Sequence, residues 1–252
     1  VALTREIVIK PYYEDEWVTL YQGDCLEILP KLPCVDLVVT DPPYGDTRLP
    51  WDTSVNGWTD LLRAPQLWCF GSLRFLLKST PLLLESGWKL AQEIVWEKHN
   101  GSSFSRDRFR RVHEYAVHFY QGKWRDLFND VPVTHDAKAR SVHRKVASGD
   151  HLGDADPTHY QTEAGGPRLM RSVQKVRSCH RSAVHPTQKP LGIVVPLVQH
   201  SCPEGGVVLD PFAGSGTTLL AAKQCHRKAI GIELDERYCA SAVARLLADD
   251  QP

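Results

Sequence analysis

The 252-residue chain carries 30 Lys/Arg against 30 Asp/Glu and is 42% hydrophobic, enough to bury a full α/β core with an insertion. Its seven cysteines (Cys25, Cys34, Cys69, Cys179, Cys202, Cys225 and Cys239) stand singly without a C-x-x-C pair, which argues against a disulfide frame or structural zinc and for reduced, cytoplasmic thiols. No apolar run is long enough to cross a bilayer and Val1–Arg5 lacks an apolar signal core, so no membrane partner is expected.

In chain order, Trp17 to Tyr21 reads as a short strand ending at Gly23-Asp24. Cys25 to Leu32 has helical spacing, with Leu26, Leu29 and Leu32 on one face. Val35 to Thr40 is an apolar strand of the kind found inside a parallel sheet. It runs directly into Asp41-Pro42-Pro43-Tyr44. The two prolines fix φ and remove two backbone donors, which leaves rigid carbonyls free to accept. A carboxylate, a rigid carbonyl and an aromatic face suit a planar heterocycle with an exocyclic amine. Asp41 and the Pro42 carbonyl would accept its two hydrogens while Tyr44 stacks on the ring. A proline-rich turn after a strand is the alternative reading of these four residues.

Leu67 to Phe70 reads as the next strand, followed by a helix from about Leu73 to Glu85 interrupted near Pro81. Glu93 to Trp96 and Glu114 to Tyr120 read as two later strands, the second alternating in a way that suits an antiparallel edge pair. From about Gly122 to Val184 the apolar periodicity fails, so this stretch reads as an insertion with little core of its own. Charge concentrates here: residues 98–189 hold 17 Lys/Arg against 9 Asp/Glu and nine of the 11 histidines. A basic middle on an acidic remainder fits a nucleic-acid footprint, with a solvated insertion as the alternative. Arg106, Arg108, Arg110 and Arg111 are the candidate phosphate contacts, again with a solvated charged loop as the alternative. Cys179-His180 reads as a chance neighbour pair, and His113 and His185 as structural hydrogen-bonding groups.

Regularity returns at Pro190, with a helix over Leu191 to Ser201 and a strand over Val207 to Asp210. A helix over Thr217 to Cys225, a strand over Ala229 to Leu234 and a helix over Glu236 to Leu247 follow. Strand–helix alternation of this kind predicts a doubly wound, mostly parallel α/β sheet of Rossmann-like form. Asp210-Pro211-Phe212-Ala213-Gly214-Ser215-Gly216-Thr217-Thr218 joins a strand to a helix, and its glycines permit positive φ and close approach to a ligand. No lysine follows Gly216, so this is not a triphosphate loop. Glu233 ends the next strand, where a carboxylate suits a ribose diol; together these features favour a nucleoside cofactor over a structural turn.

Taken together, the chain resembles amino-directed DNA methyltransferases of the circularly permuted β class, which use S-adenosylmethionine. The resemblance runs from about residue 17 to 245. It is carried by Gly23-Asp24, Asp41-Pro42-Pro43-Tyr44, Trp96-Glu97-Lys98, Arg111-Val112-His113-Glu114, His185-Pro186-Thr187-Gln188-Lys189-Pro190, Asp210–Thr218 and Ile232-Glu233. It implies a catalytic half over 1–122, a target recognition region inserted over 123–183, and a cofactor-binding half over 184–252.

By position, the resemblance implies that Asp41, Pro42, Pro43 and Tyr44 hold the target base. Asp210, Phe212, Gly214, Gly216 and Thr217 would line the cofactor, with Glu233 on the ribose and Asp24 and Cys25 at the adenine edge. Thr187 and Lys189 would lie near the methionine end, where a lysine can pair with the carboxylate. In this family D-P-P-Y usually accompanies adenine and S-P-P-Y cytosine, so N6-adenine in double-stranded DNA is expected, with the base extruded from the duplex. Cytosine N4, a catalytically inactive DNA-binding relative, and an RNA or protein amide substrate are the rivals. No metal or cysteine nucleophile is needed. A bacterial, archaeal or phage source fits the resemblance; the recognition sequence, a homodimer and a cognate restriction endonuclease stay open.

Overall fold

The computed structural model describes residues 9–47, 49, 52–99, 106–144, 158–179, 183–185 and 187–249. Val1–Arg5, His180, Pro186 and residues 145–157 of the insertion lie outside this set. Two compact units result, one comprising Val1–Asp130 with Ser172–Pro252 and the other Val131–Arg171.

The larger unit opens with β1 (Tyr13–Glu14) and β2 (Val18–Gln22), followed by α1 (Cys25–Ile28). Asp24 caps α1 by accepting from the Leu26 N–H at 2.9 Å. The helix expected to reach Leu32 stops four residues in, because Pro30 tightens Leu29–Lys31 into a 3₁₀ turn. Then come β3 (Leu37–Thr40), β4 (Gln66–Gly71) and α2 (Leu73–Glu85). Ser72 caps α2 through the Phe75 N–H. Pro81 lies inside α2 without breaking it, contrary to the expected interruption. Next are β5 (Lys89–Glu97) and β6 (His113–Tyr120).

In the smaller unit lie β7 (Val133–Thr134), β8 (Arg140–Arg144), β9 (Thr158–Thr162) and β10 (Arg168–Leu169), paired antiparallel as β7 with β10 and β8 with β9. Ala137 is its one buried apolar residue among the described residues. Short antiparallel ribbons with so little core are marginal on their own.

After it the chain rejoins the main sheet through β11 (Val173–Lys175) and continues with α3 (Leu191–Ser201), β12 (Val207–Asp210), α4 (Thr217–Gln224), β13 (Lys228–Glu233) and α5 (Glu236–Asp249). The nine strands run β1-β2-β13-β12-β3-β4-β6-β5-β11. The central strands β2, β13, β12, β3 and β4 are all parallel, while β6 is antiparallel to both neighbours. The expected antiparallel pair exists, but β11 pairs in parallel with β5 and takes the edge. Sequence periodicity missed β11 because three residues are too few to show it.

Side chains on β3 explain why the sheet is covered on both faces. Leu37 and Val39 pack with α3, α4 and α5 in one cluster, and Val38 with α1 and α2 residues in the other. The chain leaves β12 toward β13 on one side and β3 toward β4 on the other. Neighbouring strands whose connections depart in opposite directions leave a crevice at their carboxyl ends, where α/β proteins bind ligands.

Candidate active site

Strands β3 and β12 meet through Leu37↔Val208 and Val38↔Leu209. At their ends the Thr40 hydroxyl donates to Asp210 Oδ1 at 2.7 Å, so the two motif-bearing loops start from one hydrogen-bonded point. The loop after β3 is held from below by Asp52, whose carboxylate accepts from the Gly45 N–H at 2.8 Å and the Thr47 N–H at 2.7 Å. Ser54 adds a bond to the Tyr44 carbonyl at 3.2 Å, and the Tyr44 ring rests against Phe75 of α2 with centroids 4.9 Å apart. Pro42 is buried, and Pro43 and Tyr44 are half-buried.

Asp41 lies at one end of a chain of buried charges. The Tyr44 hydroxyl donates to its Oδ1, and the Lys189 ammonium to its Oδ2. Lys189 also stands 3.5 Å from Glu114 Oε2, while Lys98 pairs with Glu114 Oε1. Lys189 sits over the Phe70 ring at 5.3 Å with only 8% of its side chain exposed. Two carboxylates face two ammonium groups. The balance matters, since removing one member of a buried ion pair typically costs about 3–5 kcal/mol.

Burial pushes the Asp41 carboxyl up, and Glu114 adds to that against the opposing pull of Lys189. Glu114 is likewise pushed up by burial, but Lys189 and Lys98 together bring it below its ordinary value. Burial would lower Lys189, yet the two carboxylates raise it, so it stays a cation.

On the other side of the crevice, Asp210 Oδ1 also accepts from the Phe212 N–H at 3.1 Å, and burial raises its pKa to about 6. Glu233 Oε2 accepts from the Gly214 N–H and its Oε1 from the Asp235 N–H, both at 2.8 Å. Each oxygen thus keeps a lone pair beyond its backbone bond. Gly214 has φ +51°, and a Cβ there would meet nothing nearer than His185 at 3.8 Å, so the loop presents bare backbone. Phe212 packs edge-on to Trp58 at 5.3 Å. Gln188 ties the two segments together: its Oε1 accepts from the Ser215 hydroxyl at 3.3 Å and from the Val184 N–H at 3.1 Å.

Other sequence-selected residues have other partners. The Asp24 carboxylate is engaged as the cap of α1, and Cys25 is buried with its thiol pushed up to about 12 by burial and by Asp24. Thr217 is buried, with its hydroxyl held by Arg245 at 3.1 Å. Thr187 bonds to His185 Nδ1 at 3.2 Å. Burial and Lys189 lower the His185 pKa to about 4, so it is neutral, and His113 meets the Tyr115 hydroxyl at 3.2 Å. Lys189 faces Asp41 and Glu114. Arg106, Arg108, Arg110 and Arg111 are exposed on the approach to β6, and Arg108 pairs with Asp107 at 2.8 Å.

Gly216 needs its glycine for packing. At φ +76° it caps α4, and a Cβ would lie 2.8 Å from Ala242 Cβ of α5. Gly216→Ala is therefore expected to lower stability by about 1–3 kcal/mol, read as a drop in Tm without ligand. An unchanged Tm would mean that α5 yields freely at this contact.

A model for N6/N4 methyltransferases, described as DNA methylase, matches residues 35–244, a span that includes both loops. The chain belongs to the N6/N4 DNA methylase family. A DNA methylase acts on DNA, and this member shares its length with methyltransferases of known type. The type II methyltransferase M.ScaI of Streptomyces caespitosus is 29% identical, over 100% of this chain and 88% of that protein. M2.LlaDCHI of Lactococcus lactis subsp. cremoris, also a type II methyltransferase, is 26% identical over 95% of this chain and 93% of its own. The crystal structure of the M1.HpyAVI–SAM complex matches this N6/N4 methylase with a TM-score of 0.63 and 26% identity, covering 91% of this chain and 100% of that one. The cytosine-N4-specific PvuII DNA methyltransferase matches with a TM-score of 0.67 over 96% of this chain and 91% of its own; at 16% identity it shows the shared fold alone.

Proposed function

We propose that this methylase is a β-class, site-specific enzyme that moves a methyl group from S-adenosylmethionine to N6 of an adenine extruded from duplex DNA, as the modification partner of a type II system. The supporting observation is that β3, which leads into an aspartate-first D-P-P-Y loop, lies hydrogen-bonded beside β12, which leads into the glycine loop. The two type II relatives and the solved SAM complex support the setting and the donor.

When bound, S-adenosylmethionine supplies an electrophilic methyl group on its sulfonium. The residues fit such a nucleoside: the Glu233 lone pairs suit a ribose diol, Phe212 offers an apolar face, and Gly214 leaves room for close approach. Asp210, Gly216 and Thr217 shape the loop around that site, with Asp24, Cys25 and Thr187 at its borders.

The amine is a poor nucleophile while its lone pair is spread into the ring. Asp41 and the Pro42 carbonyl each accept one amine hydrogen, which favours a tetrahedral nitrogen and returns density to it. Tyr44 stacks on the base with Phe75 behind it. After transfer the nitrogen carries one hydrogen too many. Asp41, raised by burial, is suited to take that proton. Arg106, Arg108, Arg110 and Arg111 meet backbone phosphates, and the Val131–Arg171 unit lies within the recognition insertion.

Base-resolved sequencing of DNA from a host expressing the chain tests the reading. Methylated adenine at one recurring sequence is expected. Modified cytosine alone would move the substrate to N4, and unmodified DNA would count against activity.

A further inference from the structure

As the chain stands, Asp41 is not ready for the task given to it. Its Oδ1 is taken by the Tyr44 hydroxyl and its Oδ2 by the Lys189 ammonium. Each oxygen keeps a second lone pair, but the ammonium on Oδ2 stabilises the carboxylate's charge and draws off its density, which makes Asp41 a weaker acceptor for an incoming amine hydrogen. Lys189 cannot simply leave, because its side chain is 8% exposed and a buried ammonium without a counterion is strongly unfavourable.

The next carboxylate along offers it a place. Glu114 Oε2 is buried without a hydrogen bond and stands 3.5 Å from Lys189 Nζ, ion-pair range but beyond a good hydrogen bond. Lys98 grips the other oxygen, so Glu114 is anchored on β6 and cannot swing toward Asp41 itself. A shift of the ammonium by less than one ångström turns that long contact into a hydrogen bond, with all four charges still paired.

We propose that Glu114 is a positioning residue that receives the Lys189 ammonium when Asp41 engages the target amine, making Lys189 a two-position counterion between the two carboxylates. The inference rests on Asp41 being the amine acceptor. The groups facing Asp41 are Tyr44 on its own loop, Cys69 on β4, Glu114 on β6, Lys189 before α3 and Asp210 on β12.

Glu114→Gln keeps the shape and removes the charge that draws Lys189 away. At saturating cofactor and DNA, its single-turnover rate is expected to fall by roughly ten- to a hundredfold, with cofactor Kd within about twofold. The acid limb of its pH–rate profile should move to lower pH. Glu114 no longer raises Asp41, and Lys189 rests more fully upon it. Adding Lys189→Met to Glu114→Gln should restore part of the rate, since the ammonium is gone, whereas a residue that only supports the fold would show added damage. A Glu114→Gln rate within twofold of the parent with an unmoved limb, or a double variant no faster than Glu114→Gln alone, overturns the proposal.

Should Glu114→Gln not fold, Lys189→Met alone carries the test: losing the ammonium should raise the acid limb, and an unmoved limb there also overturns it. Full activity in Asp41→Ala would instead overturn the underlying reading, so the two failures are separable.

Discussion

Asp41→Ala is expected to cut methyl transfer to duplex DNA by on the order of 10²–10³-fold while cofactor Kd changes only a few-fold. The variant loses a preorganised acceptor at the nitrogen. It also leaves Lys98 and Lys189 facing Glu114 alone, a surplus buried cation, so some loss of stability should accompany the loss of rate. Asp41→Asn separates the two effects. It keeps an oxygen for the Tyr44 hydroxyl and the side-chain volume but not the charge, so its rate should stay close to that of the alanine variant. In the parent, Asp41 accepts best, and can take up the amine's surplus proton, only when ionised. Burial holds it above the usual aspartate range, so the rate should rise with pH across a window displaced upward from that range. Labelled-methyl transfer in single turnover, with calorimetry for the cofactor, measures both quantities. Undiminished transfer in the alanine variant would remove Asp41 from its assigned role.

Glu233→Ala should act on the cofactor instead, weakening Kd by on the order of 10²–10⁴-fold. Two hydrogen bonds from a diol to a charged acceptor are worth about 1.5–3 kcal/mol each, and both are lost. The Gly214 N–H, which Glu233 fixes at 2.8 Å, also loses its partner, so the glycine loop is less well formed before binding. Glu233→Gln should recover part of the affinity, because one amide oxygen can still serve Gly214. Burial raises the Glu233 pKa, and a diol donates best to the ionised form. Cofactor affinity should therefore decline on acidification beginning above the ordinary glutamate range. Equal affinity in the parent and the alanine variant would move the ribose elsewhere.

Both predictions concern residues that local patterns already mark. Asp41 follows, and Glu233 ends, a strand whose apolar run is visible in sequence, and the glycine loop announces a close backbone turn. Adjacent strand ends in a wound sheet follow from the strand–helix alternation, and β12 does pair with β3. What sequence could not show is side-chain partnership at long separation. Glu114 is 75 positions from Lys189, and its place opposite that ammonium depends on β6 entering the sheet antiparallel beside β4. His113-Glu114 opening a strand after an arginine cluster was the available signal, but it names no partner. Asp52 was missed for a related reason: it serves backbone N–H groups of a loop, and any carboxylate in a polar stretch could do so. Gly216 is visible as a glycine of the motif and the helix over Glu236 to Leu247 is visible too, but not that Ala242 of that helix crowds the glycine. Pro81 misled because proline's usual cost inside a helix is a prior that tertiary packing overrode in α2.

The central claim is that this chain methylates the exocyclic amine of adenine. Purified protein given labelled S-adenosylmethionine and duplex DNA of mixed sequence, followed by digestion to nucleosides, tests it most directly. Label is expected in N6-methyladenine; label in N4-methylcytosine, or none in any nucleoside, would contradict it.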